Sequence, residues 1–562
     1  MVRSFLTAIG REVRGMHEAA YLLAAFALAS QLLALVRDRL LAGQFGAGHT
    51  IDLYYAAFRI PDFLFATVAS LLSLYALLPV LSRLEQRDGA AAISFLRSTL
   101  LVFFVAMAAI AGVLFFLAPY LVSFIAPGIA ADAASRAELI LLIRILLLQP
   151  IFLGASNIVA ALTQLRNRFL LYSLSPLLYN LGIIAGIVWL YPRMGVAGLG
   201  WGVVLGAVMH LCLQLPYFFS EKSAKLPRGE FTPSFFEVLK LSIPRTLALA
   251  SGQLSLLALV ALASLFAEGS ISIFMFAWNL QSVPLAIIGV SYSVAAFPTL
   301  ARFHASGNKA EFVRHIEEAL RHMVFWAVPA VALTVVLRAQ IVRVILGSGQ
   351  FDWSATRLTA AALALFILSL CAQSITLLIA RAYYAAGRTK MPLVFGLTAV
   401  GVTVLSALGF VFIFHASESF RYFLEALMRV ADVGGTTVLM LALGYTVGAL
   451  VQCVMGMMYF SRDFGISFAG LKNLLFQTSS AAIIGAAAAY GAMSLIGTKV
   501  DINTVVGIVT QGFVGGIAGL LVTACILFLL KNEEFYEAMA AFRKRLRAAP
   551  PALEPTDVSS SF

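Results

Sequence analysis

Apolar residues in this chain come in runs of about 20–30, separated by short polar stretches, without the period-two alternation of a half-buried strand. About 20 apolar residues suffice for a helix to cross a bilayer. Counting runs and breaks gives about fourteen spans: 18–44, 51–83, 93–126, 137–165, 169–192, 196–219, 234–267, 270–303, 318–346, 354–386, 391–415, 435–461, 467–497 and 503–530. Lipid offers the backbone no hydrogen-bond partner, so only helices and closed barrels cross it. Barrel strands alternate over about ten residues, which leaves helices. The pattern predicts an all-α integral membrane protein.

Composition agrees. Of 562 residues, 61% are hydrophobic and 12% charged, against about 45–50% and about 25% in soluble domains. The first run is long and ends in charges and a Phe45-Gly46 turn, so it reads as a span and not as a cleaved leader. The net charge of +12 sits in short loops, which points to topology and anionic headgroups, not nucleic acid. Cys212, Cys371, Cys453 and Cys525 lie inside apolar runs without a Cys-x-x-Cys pair and read as small buried hydrophobes.

Loop charges orient the spans. One set of segments carries Arg3, Arg11, Arg14, Arg83, Arg87, Arg166, Arg168, Lys222, Lys225, Arg228, Arg302, Lys309, Arg314, Arg388, Lys390, Arg462, Lys472, Lys531, Arg543, Lys544, Arg545 and Arg547. The opposite set carries Arg136, Arg193, Arg421, Arg429 and Lys499. This bias predicts both termini in the cytoplasm and an even number of spans. Prolines 61, 79, 150, 176, 244, 284 and 298 lie inside apolar runs and predict kinks. Residues 416–434 place Phe420, Phe423, Leu424, Leu427 and Val430 on a helical stripe, readable as an amphipathic surface helix or as a structured loop. From Lys531 the tail begins as a basic amphipathic helix and ends in a Pro- and Ser-containing stretch expected to be disordered.

The chain also repeats. Residues 51–83 and 271–302 share an aromatic-rich opening, a polar residue at one point, and a close running from Pro79 to Arg83 and from Pro298 to Arg302. Gln164–Arg168 and Ala386–Lys390 stand at a similar offset of about 220 residues. Six spans separate the copies, so two six-helix lobes of like orientation are expected around a central cavity, plus two C-terminal helices. The expected division is 1–220, 221–465, 466–531 and a basic tail at 532–562.

Charges inside spans mark cavities or partners. The first span carries Arg37, Asp38 and Arg39; in the second, Asp52, Tyr55, Arg59 and Asp62 fall at i, i+3, i+7 and i+10, one helical face. Arg59 and Asp62 can pair within the helix. At repeat-equivalent positions stand Ser272, Asn279 and Ser282, so the face is polar in both lobes and charged in one. A cleft binding an anionic headgroup through Arg37 and Arg59 is one account, since a planar guanidinium grips phosphate bidentately; snorkelling and packing ion pairs are the other. Arg144 and Asn157 lie deeper in the fourth span and are candidates for the cavity wall. Arg245, Arg338 and Arg381 lie near span ends and read as snorkelling; His210 reads as a packing residue. There is no Walker A loop, no His-Glu-x-x-His helix and no Cys/His cluster, so neither a cofactor nor a metal is expected.

Arg37-Asp38, Phe45-Gly46-Ala47-Gly48, Asp52 and Ala57-Phe58-x-x-Pro61 together resemble the opening of the MurJ (MviN) lipid II flippases, of the multidrug/oligosaccharidyl-lipid/polysaccharide exporter superfamily. Asn167-Arg168-Phe169, Pro176, Asn180, Pro284, Phe297-Pro298 and Ala380-Arg381-Ala382-Tyr383-Tyr384 follow collinearly, over most of residues 20–400. The resemblance implies two lobes in a V. It implies alternating-access flipping of an undecaprenyl-pyrophosphate-linked peptidoglycan precursor in the bacterial inner membrane, driven by membrane potential or an ion gradient. It also implies a monomer with contacts to cell-wall synthesis proteins. Arg37, Asp52 and Arg59 match family positions. Gln31, Phe65, Ala66, the stretch 69–72, Asn279 and Ser282 depart from them at places tied to cargo. Export of another lipid-linked polysaccharide or hydrophobic compound, and a non-transporting scaffold, are therefore the alternative readings.

Overall fold

The computed structural model describes residues 16–547 except 73, 88, 167, 221–227, 469, 502 and 503. Arg3, Arg11, Arg14, Lys222, Lys225, Asn167 and the Pro- and Ser-containing end of the tail lie outside the described residues.

Among the described residues every regular element is helical. Twelve segments are long and apolar enough to cross a membrane; the pair Trp353–Ile367 and Leu370–Ala385, bent by 46°, makes thirteen. Met16–Phe45, a 30-residue helix carrying Arg37, Asp38 and Arg39, opens the bundle. At ~1.5 Å per residue it too is long enough to span.

Starts are set by local chemistry. Asp132, Asn308, Asp352, Ser417 and Thr504 each accept a backbone N–H at the first turn of the helix that follows. The second span departs from the expectation of one helix over 51–83. It runs as His49–Ala57, Arg59–Thr67, a 3₁₀ turn Ala69–Leu72, and Leu74–Arg87. Pro61 has no N–H to give the Ala57 carbonyl, which is where the first piece ends. In the eighth span, Ser270–Ala305, Pro284 is followed by a π-helical stretch, Ala286–Val290.

The first six spans pack mainly on one another, as do the eighth to twelfth, whereas the seventh, Arg228–Ala263, packs on the second and third spans as well as on the eleventh. Close approach is made by small residues: a Cβ on Gly186 would sit 2.6 Å from the Gly202 Cα, so the fifth and sixth spans touch backbone to backbone. The last two spans, Gly470–Gly497 and Val505–Leu529, pack on each other and on the ninth, Lys309–Ile345. The tail helix Glu533–Arg547 is tied to the ninth span by Arg321, which pairs with Glu533 at 2.8 Å and Glu534 at 2.5 Å. The 416–434 segment is indeed helical over Glu418–Met428. Leu424 and Val430 are buried, whereas Phe423 and Leu427 are exposed.

Candidate substrate cavity

The second and eighth spans meet across the lobes at their first turns, where the repeat-equivalent residues Asp52 and Ser272 touch. Asp52 Oδ1 accepts the Ser272 N–H at 2.7 Å and the Ser272 hydroxyl at 2.5 Å; Asp52 Oδ2 accepts the Gly269 N–H at 2.7 Å. Tyr55 and Phe276 stack edge to face at 5.7 Å. In return, Glu268 Oε1 accepts the His49 N–H at 2.8 Å. Each lobe thus supplies a carboxylate to the helix start of the other, where unpaired N–H groups and the helix dipole favour negative charge. Gly269 adopts φ +87°, and a Cβ there would stand 2.4 Å from the Ala47 carbonyl.

The same end of the molecule carries further cross-lobe bonds. Gln350 N–H donates to the Gly43 carbonyl at 2.9 Å, Arg39 Nη1 to the Val344 carbonyl at 2.5 Å, and Gly128 N–H to Ser264 Oγ at 3.2 Å. At the opposite end, Arg83 pairs with Glu237 at 2.6 Å, half exposed.

Inward from the Asp52 cluster lies a cavity of about 270 Å³. Its wall includes Arg37, Arg59, Asp62, Gln149, Gln253 and Asn279, with Tyr54, Tyr55, Phe58, Tyr179 and Trp278 between them. Arg37 is held by Asp38 at 2.8 Å and by the Asn180 side-chain oxygen at 3.1 Å. Asn279 Nδ2 donates to Asp38 at 3.2 Å and to the Tyr55 hydroxyl at 3.3 Å, tying the two lobes together at mid-depth.

Arg59 is 4% exposed. Its Nε donates to the Tyr55 carbonyl at 3.1 Å and Nη2 to Asp62 at 3.3 Å, the intrahelical pair expected from the i, i+3 spacing. Nη1 is buried with no partner. Gln149 donates to the Tyr179 hydroxyl at 3.2 Å while its own oxygen is buried and unpartnered. An unpaired buried polar group costs about 1–3 kcal/mol, so the wall keeps donor and acceptor capacity that folding leaves unused.

The structure therefore sorts the expected site residues. Arg37, Arg59, Asp62 and Asn279 share one cavity wall. Asp52 does not line it; it is consumed by three donors of the other lobe. Ser282 turns back to its own helix, donating to the Asn279 carbonyl at 2.7 Å. Arg144 is the clearest correction: its Nε donates to the Phe115 carbonyl at 3.2 Å and its guanidinium lies 4.5 Å from the Phe115 ring, away from the cavity. Asn157 is half-buried and likewise absent from the wall. His210 is a packing residue as expected, 2.7 Å from Ser156 Oγ. Of the aromatic wall residues, Tyr54, Tyr179 and Trp278 were not singled out by the sequence, and Phe58 only within the family resemblance. Trp278 adjoins Asn279, and Tyr54 and Phe58 flank the charged face, which was the available signal.

Two groups of six spans, in contact at both ends around a polar cavity, have the architecture of a membrane transporter. A family model described as lipid II flippase MurJ matches residues 41–511. The chain belongs to the lipid II flippase MurJ family, whose members are transporters and not enzymes. The lipid II flippase MurJ of Burkholderia cenocepacia is 27% identical over 398 residues, covering 69% of this chain and 76% of the relative. The probable lipid II flippase MurJ of Vibrio cholerae is 27% identical over 405 residues, covering 69% and 76%. Among solved structures, a lipid II flippase MurJ in an inward closed conformation superposes with a TM-score of 0.70 at 18% identity, covering 91% of this chain and 100% of that one. An inward-facing multidrug resistance MATE family transporter of the MOP superfamily gives 0.63 at 15%, covering 79% and 96%. At these identities the structures speak to the fold.

Proposed function

We propose that this protein moves a lipid-linked glycan, lipid II, across the bacterial inner membrane by alternating access, with both termini cytoplasmic. The observation that carries the cargo site is Arg59 on the cavity wall beside Arg37, with its buried Nη1 left unpartnered. A guanidinium with a spare N–H is a donor for a phosphate oxygen, and such charge-assisted bonds are the strong ones. In this reading Arg37 and Arg59 hold the pyrophosphate. Asp62 and Asp38 keep the two guanidinium groups oriented while the cavity is empty, and Asn279 and Gln149 offer bonds to sugar hydroxyls. Tyr54, Tyr179 and Trp278 give flat apolar faces for a sugar ring. Asp52 acts indirectly, by holding the lobes together.

A cavity of about 270 Å³ is far too small for a glycosylated headgroup, so the lobes separate to load it. The loop-charge bias assigns the Arg83–Glu237 end to the cytoplasm and the Asp52–Ser272 end to the outside. The loading step then breaks contacts at the Arg83 end, and release breaks the reciprocal carboxylate caps. The lobes are 1–220 and 221–465; spans 466–531 flank the ninth span, and the tail 532–562 lies in the cytoplasm. The working unit is a monomer, with contacts to cell-wall synthesis proteins as the family suggests.

One observation favours a second cargo of the same kind. Each cavity guanidinium has a carboxylate neighbour, and the eighth span contributes Asn279 and no cation. A lipid-linked glycan recognised more through its sugars than its pyrophosphate fits that wall. The test is complementation of a strain depleted of its lipid II flippase. Rescue by the intact chain and failure by Arg59→Gln, at equal membrane levels, supports lipid II. Failure of the intact chain at full expression overturns it, and flipping assays with other polyprenyl-linked glycans then decide the cargo.

A further inference from the structure

The tenth span is broken where no helix breaker stands. Residues 353–385 contain neither proline nor glycine, yet Trp353–Ile367 and Leu370–Ala385 meet at 46°. The repeat-equivalent fourth span, Ala133–Leu165, is interrupted at Leu147, where Pro150 has no N–H for the Leu146 carbonyl. In the tenth span polar side chains take that part. Ser369 turns both its N–H and its hydroxyl to the Phe366 carbonyl, at 3.0 and 2.6 Å. The Leu365 carbonyl, the usual acceptor for the Ser369 N–H, accepts instead the Thr446 hydroxyl of the twelfth span, Thr436–Phe464, at 2.8 Å.

Gln373, one turn past the break, joins its surroundings. Its N–H donates to the Ser369 carbonyl at 2.8 Å, and its Nε2 to Ser369 Oγ at 2.7 Å and to Gln281 Oε1 of the eighth span at 3.2 Å. Its Oε1 accepts the Tyr445 hydroxyl of the twelfth span at 3.2 Å. Gln281 is 1% exposed and Ser369 0%. A buried polar network satisfied in this way specifies one arrangement of the elements it joins. Here it joins the eighth, tenth and twelfth spans at the level of the break.

The network backs onto the cavity. Trp278 is on the cavity wall. Its ring meets those of Tyr445 at 4.8 Å and Phe366 at 5.7 Å, and these two meet each other at 5.6 Å. Phe366 is also the residue whose carbonyl Ser369 takes. Past the break, a Cβ on Gly289, in the π-helical stretch of the eighth span, would stand 2.8 Å from Ser374 Oγ. The eighth span thus touches the tenth on both sides of the bend, once beside the cavity and once at its own irregular turn. Such π-helical turns recur at functional sites. Backbone groups freed inside a membrane must be satisfied again. Bent, the Leu365 and Phe366 carbonyls take the hydroxyls of Thr446 and Ser369. Straight, they regain the N–H groups of Ser369 and Leu370. A change of bend therefore orphans no carbonyl, and side-chain bonds decide the angle.

We propose that the break at Leu368–Ser369 is a hinge of the second lobe, and that Gln373 is a positioning residue tying its angle to Trp278 on the cavity wall. Cargo that displaces the indole then changes the bend, and a change of bend moves the indole. Gln373 and Thr446 act from behind, since neither lines the cavity. The link to cargo rests on the cavity being the cargo site, as proposed above; the hinge itself does not.

The test is the distance between spin labels at Trp353→Cys and Ala385→Cys in the full chain, its four native cysteines replaced by alanine, in nanodiscs without cargo. Both labels ride on the tenth span, so motion of one lobe against the other leaves their distance unchanged. Straightening the 46° bend lengthens it by roughly 4 Å at ~1.5 Å per residue. Thr446→Val, Gln373→Met and Trp278→Ala are each expected to add a population longer by that amount. Thr359→Val is expected to add none, because the buried Thr359 hydroxyl of the same span has no hydrogen-bond partner among the described residues. A distribution unchanged in Thr446→Val and Gln373→Met overturns the hinge. One unchanged in Trp278→Ala overturns its tie to the cavity. A longer population in Thr359→Val also overturns the proposal, since loss of any hydroxyl would then suffice. Lipid II added to the parent should raise the longer population, and undecaprenyl phosphate should not. If the variants behave as expected while lipid II has no effect, lipid II is contradicted as the cargo and the hinge stands.

Discussion

Asp52 and Arg59 stand two turns apart on one face of the second span, both buried and both charged. Their surroundings use the charge in opposite ways. Asp52 is saturated by two N–H groups and a hydroxyl from the other lobe. Arg59, on the cavity wall, makes two bonds, both within its own lobe, and keeps one buried nitrogen unpartnered. A saturated buried charge stabilises one arrangement of the lobes. An unsaturated one is poised for something that arrives later. In the proposed reading the same helical face carries a latch at one end and a binding group in its middle.

The comparison breaks most readily at Arg59. Arg59→Gln should reduce flipping in reconstituted vesicles by ~10–100-fold, since a hydrogen bond to a charged group contributes about 1.5–3 kcal/mol. Its thermal stability should stay close to the parent, because no acceptor of the other lobe depends on it. Stability lost in step with transport would place Arg59 with Asp52 as a packing charge.

Asp52→Asn should act the other way round. An amide keeps one acceptor oxygen and turns a donor toward N–H groups, weakening the closed arrangement by about 1.5–3 kcal/mol. The expected signs are a lower Tm and faster maleimide labelling of a cysteine placed at Tyr55. Unchanged labelling would show that the latch is not what holds this end shut. Gly269→Ala tests the same contact from the other lobe. A left-handed φ costs an L-residue about 1–2 kcal/mol, and the new Cβ meets the Ala47 carbonyl. A Tm drop comparable to that of Asp52→Asn is expected.

The smallest effects are at the periphery. Arg144→Gln should leave flipping within about twofold and stability within about 0.5 kcal/mol, because its partners lie on the outer surface. A loss of transport comparable to Arg59→Gln would return Arg144 to the cavity account. At the surface helix, Arg357 holds the Asp432 carboxyl below its usual range. A depressed carboxylate stabilises above its unfolded value, ~pH 4, and that contribution is lost as pH falls through the folded value. Hydrogen exchange over 416–434 should rise only under such acid conditions, and exchange that rises near neutral pH would point to another tie.

Much of this was legible in the sequence. Run lengths gave the spans because lipid forces each crossing into a continuous helix. The offset of about 220 made Ser272 the equivalent of Asp52, although not that these equivalent residues would touch. The sequence did not show that Asp52 is consumed. Its donors are 217 and 220 residues away, and periodicity reports which face a residue shares, not what that face meets. Depth misled at Arg144 for a related reason: position along a span says nothing about azimuth. The break near Phe58 was foreshadowed by Pro61, while the 3₁₀ turn at Ala69–Leu72 carries no proline or glycine to announce it.

The central claim is that Arg59 offers cargo a donor that folding leaves free. It is tested most directly by flipping of lipid II in proteoliposomes containing either the parent chain or Arg59→Gln, with Asp52→Asn alongside. The account predicts flipping by the parent, loss in Arg59→Gln at unchanged Tm, and a lowered Tm in Asp52→Asn. Flipping at the parent rate by Arg59→Gln would contradict it.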